Sequence, residues 1–172
     1  EASAKYRLGL RILELAALVL EHVDLLRQAW PYLHRLSEQH LETVDLSILD
    51  GTDVVYLEVI ESPQRVKLAA APGRRLPACC TAAGKVFLAY MSEREIEPIL
   101  ATRLLRYTPQ TIVSPEEFRA ELRTIRERGF ATAASEFEPD INAVAAPILD
   151  YRYHTIAAVA LAESAMGERG ER

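Results

Sequence analysis

The sequence predicts an α+β fold: one antiparallel sheet of about six short strands, flanked by helices. At Thr43 the apolar period changes from three or four residues to two. Six period-two runs follow, mostly joined as hairpins, and the helical patterns among them gather between the third and fourth. No strand-helix-strand unit repeats, which argues against a doubly wound parallel sheet. The 172 residues, 49% of them hydrophobic, suffice for one sizeable core and leave little for a second domain.

Two helical patterns open the chain. Leu8, Ile12, Leu15, Ala16 and Val19 recur at three- and four-residue steps, and Leu25, Leu26, Ala29, Leu33 and Leu36 do the same. Asp24 is placed to cap the second, and Pro31 interrupts it. A helix ahead of any core reads as a linker, residues 1–22, from an upstream domain absent from this chain. The first strands are expected over Thr43 to Leu49 and Val54 to Ile60, joined through Asp50-Gly51, a strong local hairpin signal. Arg65 to Ala71 reads as a third strand. Ser92 with Glu95 forms a capping box for a short helix ending near Ala101. Ser114-Pro115 starts another helix, which runs through Phe118, Leu122 and Ile125 and stops at Gly129. Strands are expected again over Phe130 to Ser135, Asn142 to Leu149 and Thr155 to Ala162, the last two as a hairpin. Residues 164–172 have nothing to bury and read as a loose tail.

The stretch Gly73 to Tyr90, GRRLPACCTAAGKVFLAY, is the hub of the chain. Its small residues let other groups approach the backbone closely, as the wall of a cavity needs and as tight helix-on-sheet packing also needs. Val86, Phe87 and Tyr90 then mark a helix, with Lys85 at its entry.

The net charge of −5 argues against this chain gripping a phosphate backbone by itself. Apolar runs stop short of membrane-spanning length, and no export signal is evident. Adjacent Cys79 and Cys80 read as reduced thiols in the cytoplasm, because a vicinal disulfide is strained. A thiol near a helix start also invites a lowered pKa, but neither has an evident histidine partner. His22, His34, His40 and His154 lack metal-ligand spacing. Glu136 and Glu138 share a side in an extended segment near Asp140, and a solvated loop is preferred there to a catalytic pair. AAGK mimics the end of a phosphate loop, but Cys79 stands where its first glycine belongs and Val86 follows the lysine. No catalytic set is complete, and no cofactor or metal is expected.

Taken in order, YRLG at Tyr6 to Gly9, the run from Asp24 to Ser62, LPACCTAAGKVFLA at Leu76 to Ala89, YTPQTI, the helix ending RERGF and the segment from Glu136 through Pro147, where AVAAPILD begins at Ala143, resemble the C-terminal, effector-binding domain of IclR-type bacterial transcriptional regulators. The resemblance implies a GAF-like, PAS-like domain over residues 23–163 that binds a small organic acid and carries homodimer or homotetramer contacts. It implies a repressor or activator that meets operator DNA only through a missing N-terminal winged helix-turn-helix domain. The family also usually continues into a further C-terminal helix.

The implied effector site lies between the sheet and the AAGK segment. Carried over by motif, it comprises Cys79, Cys80 and Thr81, the loop positions Ala82 and Ala83, and Ala133, Ile141, Ala143, Ala160 and Ala162. Some members hold aspartate, cysteine or serine where this chain has Ala133, Ala143, Ala160 and Ala162, and Asp140 replaces the usual glycine. A largely apolar cavity follows, suited to an aromatic or longer aliphatic acid rather than to glyoxylate or pyruvate. A stand-alone GAF-like binding protein or enzyme, and an oligomerisation domain with a vestigial pocket, remain open at this point.

Overall fold

The computed structural model describes residues 9–12, 14–15, 24–64, 70–101 and 104–164. The expected linker helix falls mostly outside these residues, as do most of the expected Arg65 to Ala71 strand and the tail. Helix α1, Asp24–His40, continues through Pro31, which lies on its exposed side. Strands β1, Thr43–Asp50, and β2, Asp53–Ile60, form the hairpin that Asp50-Gly51 announces, with Gly51 at a φ of 66°.

The third strand of the sheet, β3, is Arg75–Pro77, inside the stretch read as a break before the hub helix. Arg75 bonds Asp50 at 2.7 Å and Asp53 at 3.2 Å, tying this short edge to the β1–β2 turn. A turn of 3-10 helix at Ala78–Cys80 leads into α2, Ala82–Tyr90. Then come α3, Glu93–Ala101, α4, Pro115–Arg128, and the strands β4, Ala131–Ala134, β5, Ile141–Leu149, and β6, Thr155–Ser164.

The helix ends follow their local chemistry. Glu95 accepts from the Ser92 amide at 2.9 Å and from its hydroxyl at 2.6 Å. Ser114 caps α4 by accepting from the Glu117 amide, and Gly129 closes that helix at a φ of 83°. That left-handed residue also turns the chain away before β4, so Phe130 stays outside the strand.

The six strands make one antiparallel sheet in the order β3-β2-β1-β6-β5-β4. Both faces are covered. On one, Ala29 and Leu33 of α1 pack on Val44, Leu46 and Ala157. On the other, α2 lies against Val54, Tyr56, Ala131, Ala133, Ala145, Ala158 and Ala160, with Phe118, Leu122 and Ile125 of α4 beyond it. Alanine-rich strands let the helix come close, and every residue from Ala82 to Ala89 is buried. Arg126 of α4 donates to the Ala89 carbonyl at 2.7 Å and to that of Met91 at 3.2 Å, satisfying orphan acceptors at the end of α2.

Gly84 is where this packing is tightest. A Cβ there would lie 2.2 Å from both the Cα and the carbonyl oxygen of Ala78. Backbone cannot swing aside as a side chain can, so Gly84→Ala is expected to cost about 3 kcal/mol through overpacking. The matching fall in melting temperature is roughly 6–12 °C. A variant melting with the parent would show that the 3-10 turn yields freely.

Candidate functional site

Strand register builds the floor of a cavity. Ala133 pairs with Ala143, and Ala143 with Ala162, which lies opposite Thr43. In the next row Ala131 pairs with Ala145, Ala145 with Ala160, and Ala160 with Asp45. Two rows of methyl groups thus run from the β4 edge to β1, and leave open space beneath the first turn of α2. AAGK is that first turn rather than a loop, and Thr81 is its N-cap, accepting the Gly84 amide at 3.2 Å.

The cavity holds about 50 Å³. Cys80, Thr81, Ala82, Ala83, Ala133, Ile141, Ala143, Ala160 and Ala162, all expected from the sequence, line it together. Cys79 lies outside that lining, although it packs partly buried against the same core. The Cys80 thiol, as hydrogen-bonding neighbour, holds Cys79 below its ordinary pKa, while that contact and burial push Cys80 well up. Both thiols are free.

The rest of the lining was not foreseen, and it is polar as well as apolar: Asp45, Tyr56, Glu136 and Glu138, with Val54, Leu76 and Phe137. Asp45 is 2% exposed, and its Oδ1 is buried without a hydrogen-bond partner. Burial raises its pKa to about 7, with the neighbouring Ser47 hydroxyl offsetting only part of the effect. Burial also pushes the Tyr56 phenol up, and the Asp45 charge adds to it.

Glu136 corrects an expectation. It is buried rather than solvated, and it receives the Lys85 ammonium at 2.6 Å. Lys85 is 1% exposed and also reaches Glu121 at 3.5 Å. The YTPQTI segment explains how the loop is held there. Thr111 donates to the Glu136 carbonyl and Thr108 to that of Ser135, both at 2.6 Å. Glu138 pairs with Arg74 at 2.8 Å, partly exposed at the cavity's rim. Asp140 adopts a φ of 60°, the left-handed region that glycine enters at least cost. This accounts for a glycine at the corresponding place in the family resembled.

The cavity thus lies between an antiparallel sheet and the N-terminus of a short helix, the setting of a regulatory domain's ligand pocket. Residues 17–169 match the model of the bacterial transcriptional regulator IclR C-terminal domain, and the chain belongs to that family. It is 35% identical over 160 residues to the HTH-type transcriptional regulator XynR of Escherichia coli (strain K12), covering 92% of this chain and 64% of XynR. It thus spans somewhat less than two thirds of that relative. An IclR homolog from Microbacterium hydrocarbonoxydans, complexed with 4-hydroxybenzoate, superposes with a TM-score of 0.85 at 27% identity, covering 96% of this chain and 68% of the other. The inducer-binding domain of a PobR double mutant from Acinetobacter, complexed with 3-hydroxybenzoic acid, gives 0.74 at 30% identity, covering 80% and 82%. Among the described residues no helix is long and apolar enough to cross a membrane.

Proposed function

We propose that this chain is the sensing half of a cytoplasmic DNA-binding regulator, and that its cavity takes a small organic acid with an aromatic or partly apolar body. The observation carrying this reading is the double alanine floor beneath the first turn of α2. The floor offers apolar surface to a ring or chain. The first-turn amides, at Ala82 and Ala83, have no partner within the helix and suit a carboxylate. The hydroxybenzoate complexes of the two relatives support an aromatic acid. At about 50 Å³ the space is smaller than the roughly 150 Å³ of an engineered cavity that admits benzene. A ring therefore needs the space to widen, and a partly exposed stretch of the wall is Phe137 with the Glu138–Arg74 pair.

A thermal-shift screen of small organic acids tests this. A true ligand at about one hundred times its Kd stabilises the parent by about 2.7 kcal/mol, roughly 5–10 °C. The shift should vanish in Ala83→Trp, and also in Ala143→Leu, which fills the partly exposed floor with less disturbance to the core. Equal shifts in parent and filled variants, or binding only of very small acids such as glyoxylate, would sink the site as drawn.

The same regulator reading includes self-association as a homodimer or homotetramer. Ile12 and Leu15, of the predicted linker stripe, are 45% and 55% exposed. Such apolar surplus is commonly buried by a second copy. A clean monomer mass in sedimentation at micromolar concentration would count against assembly through this chain.

A further inference from the structure

We propose that Asp45 sets the ligand class of the cavity by accepting a hydrogen bond from a hydroxyl or protonated amino group, so that the effector is a hydroxy- or amino-substituted acid rather than a purely apolar one. This role deepens the reading of the cavity as an effector site and rests on it.

Two features of the cavity lead there. The first is the stranded acceptor. Asp45 stands at the β1 end of the alanine row, inside the cavity lining, and its Oδ1 has no partner. A buried acceptor left unpaired is costly, and such groups in folded proteins are nearly always matched by protein, water or ligand. The second is the balance of charge. Glu136 presents a further buried oxygen, Oε2, without a partner. The cations near this wall already engage carboxylates, Lys85 with Glu136 and Arg74 with Glu138. Carboxylate oxygens therefore outnumber the cations here, and the nearby neutral donors are the Tyr56 phenol in the lining and the Ser47 hydroxyl beside Asp45.

A ligand with an apolar body and a carboxylate alone satisfies the α2 amides and leaves Asp45 stranded. Worse, a carboxylate turned toward Asp45 would meet like charge. A ligand with an acid at one end and a donor at the other satisfies both walls and admits only one orientation. Sites built to bond a polar substituent reject analogues that lack it more strongly than apolar pockets discriminate by size.

The test is calorimetric titration of the parent, Asp45→Ala and Asp45→Asn with benzoate, 3-hydroxybenzoate, 4-hydroxybenzoate and 4-(aminomethyl)benzoate. Asp45→Asn keeps the shape of the side chain while removing its charge, and covers the case in which alanine disturbs folding. The parent should bind at least one donor-bearing probe at least about tenfold tighter than benzoate, as one bond to a charged acceptor predicts. Asp45→Ala should bring that ratio near one without weakening benzoate, and Asp45→Asn should reduce it most for the amine. Benzoate binding as tightly as every donor-bearing probe, with Ala143→Leu blocking all of them, overturns the role of Asp45 and leaves the effector site standing. A preference that survives in Asp45→Ala overturns it likewise. No binding of any probe, or binding that Ala143→Leu leaves intact, overturns both.

Discussion

Replacing Lys85 with methionine is expected to destabilise the fold by about 3–5 kcal/mol, the usual cost of removing one partner from a buried ion pair. The ammonium is 1% exposed and lies 2.6 Å from Glu136, which is itself buried. Methionine fills most of the volume, so the loss comes from the carboxylate left behind and not from a cavity. Adding Glu136→Leu should therefore recover most of the stability, since a buried pair is often no better than well-packed apolar groups. Denaturant unfolding of both single variants and the double variant checks this as a cycle. If the losses simply add, the two groups are not a coupled pair.

Asp45 is expected to make the ligand-free protein less stable as pH rises. Its pKa is about 7 when folded and near 3.8 when unfolded, so the native state binds the extra proton between those values. Stability then falls from about pH 4 to about pH 7 and levels off above. The total penalty is about 4 kcal/mol, at about 1.4 kcal/mol for each pH unit. In Asp45→Asn this slope should disappear, leaving the variant more stable than the parent at pH 8. All other ionisable groups are common to both proteins, so the difference between the two curves isolates Asp45. Parallel curves would show that the carboxyl is already neutralised by a partner.

Much of the scaffold was readable in advance because it rests on local rules. The Asp50-Gly51 hairpin, the Ser92 and Ser114 caps and the Gly129 stop each depend on neighbours within a few positions. The alanine rows were readable too, through Ala133, Ala143, Ala160 and Ala162, although register alone makes them one floor. Strand β3 was missed because three residues, one of them Pro77, following closely on Pro72-Gly73 carry no period. Asp45 was missed because Thr43, Asp45 and Ser47 alternate with Val44 and Leu46, the pattern of a strand with one wet face. That face is dry here only because α2 lies over it. Glu136 was missed for a related reason: SEFEPD reads as a solvated loop until Thr108, Thr111 and Lys85 arrive from distant parts of the chain.

The alternation on β1 also has a mechanical consequence. Asp45 points into the cavity, while Val44 and Leu46, its neighbours in the chain, bear on Ala29 and Leu33 of α1. Side chains to either side of one backbone move together, and a densely packed interior transmits a small shift instead of absorbing it. An occupant that tugs or pushes Asp45 by a fraction of an ångström is thus felt across the sheet, at the helix on the far side. Strand β1 is thus shared by the cavity and the α1 packing, and a single strand's thickness separates the two.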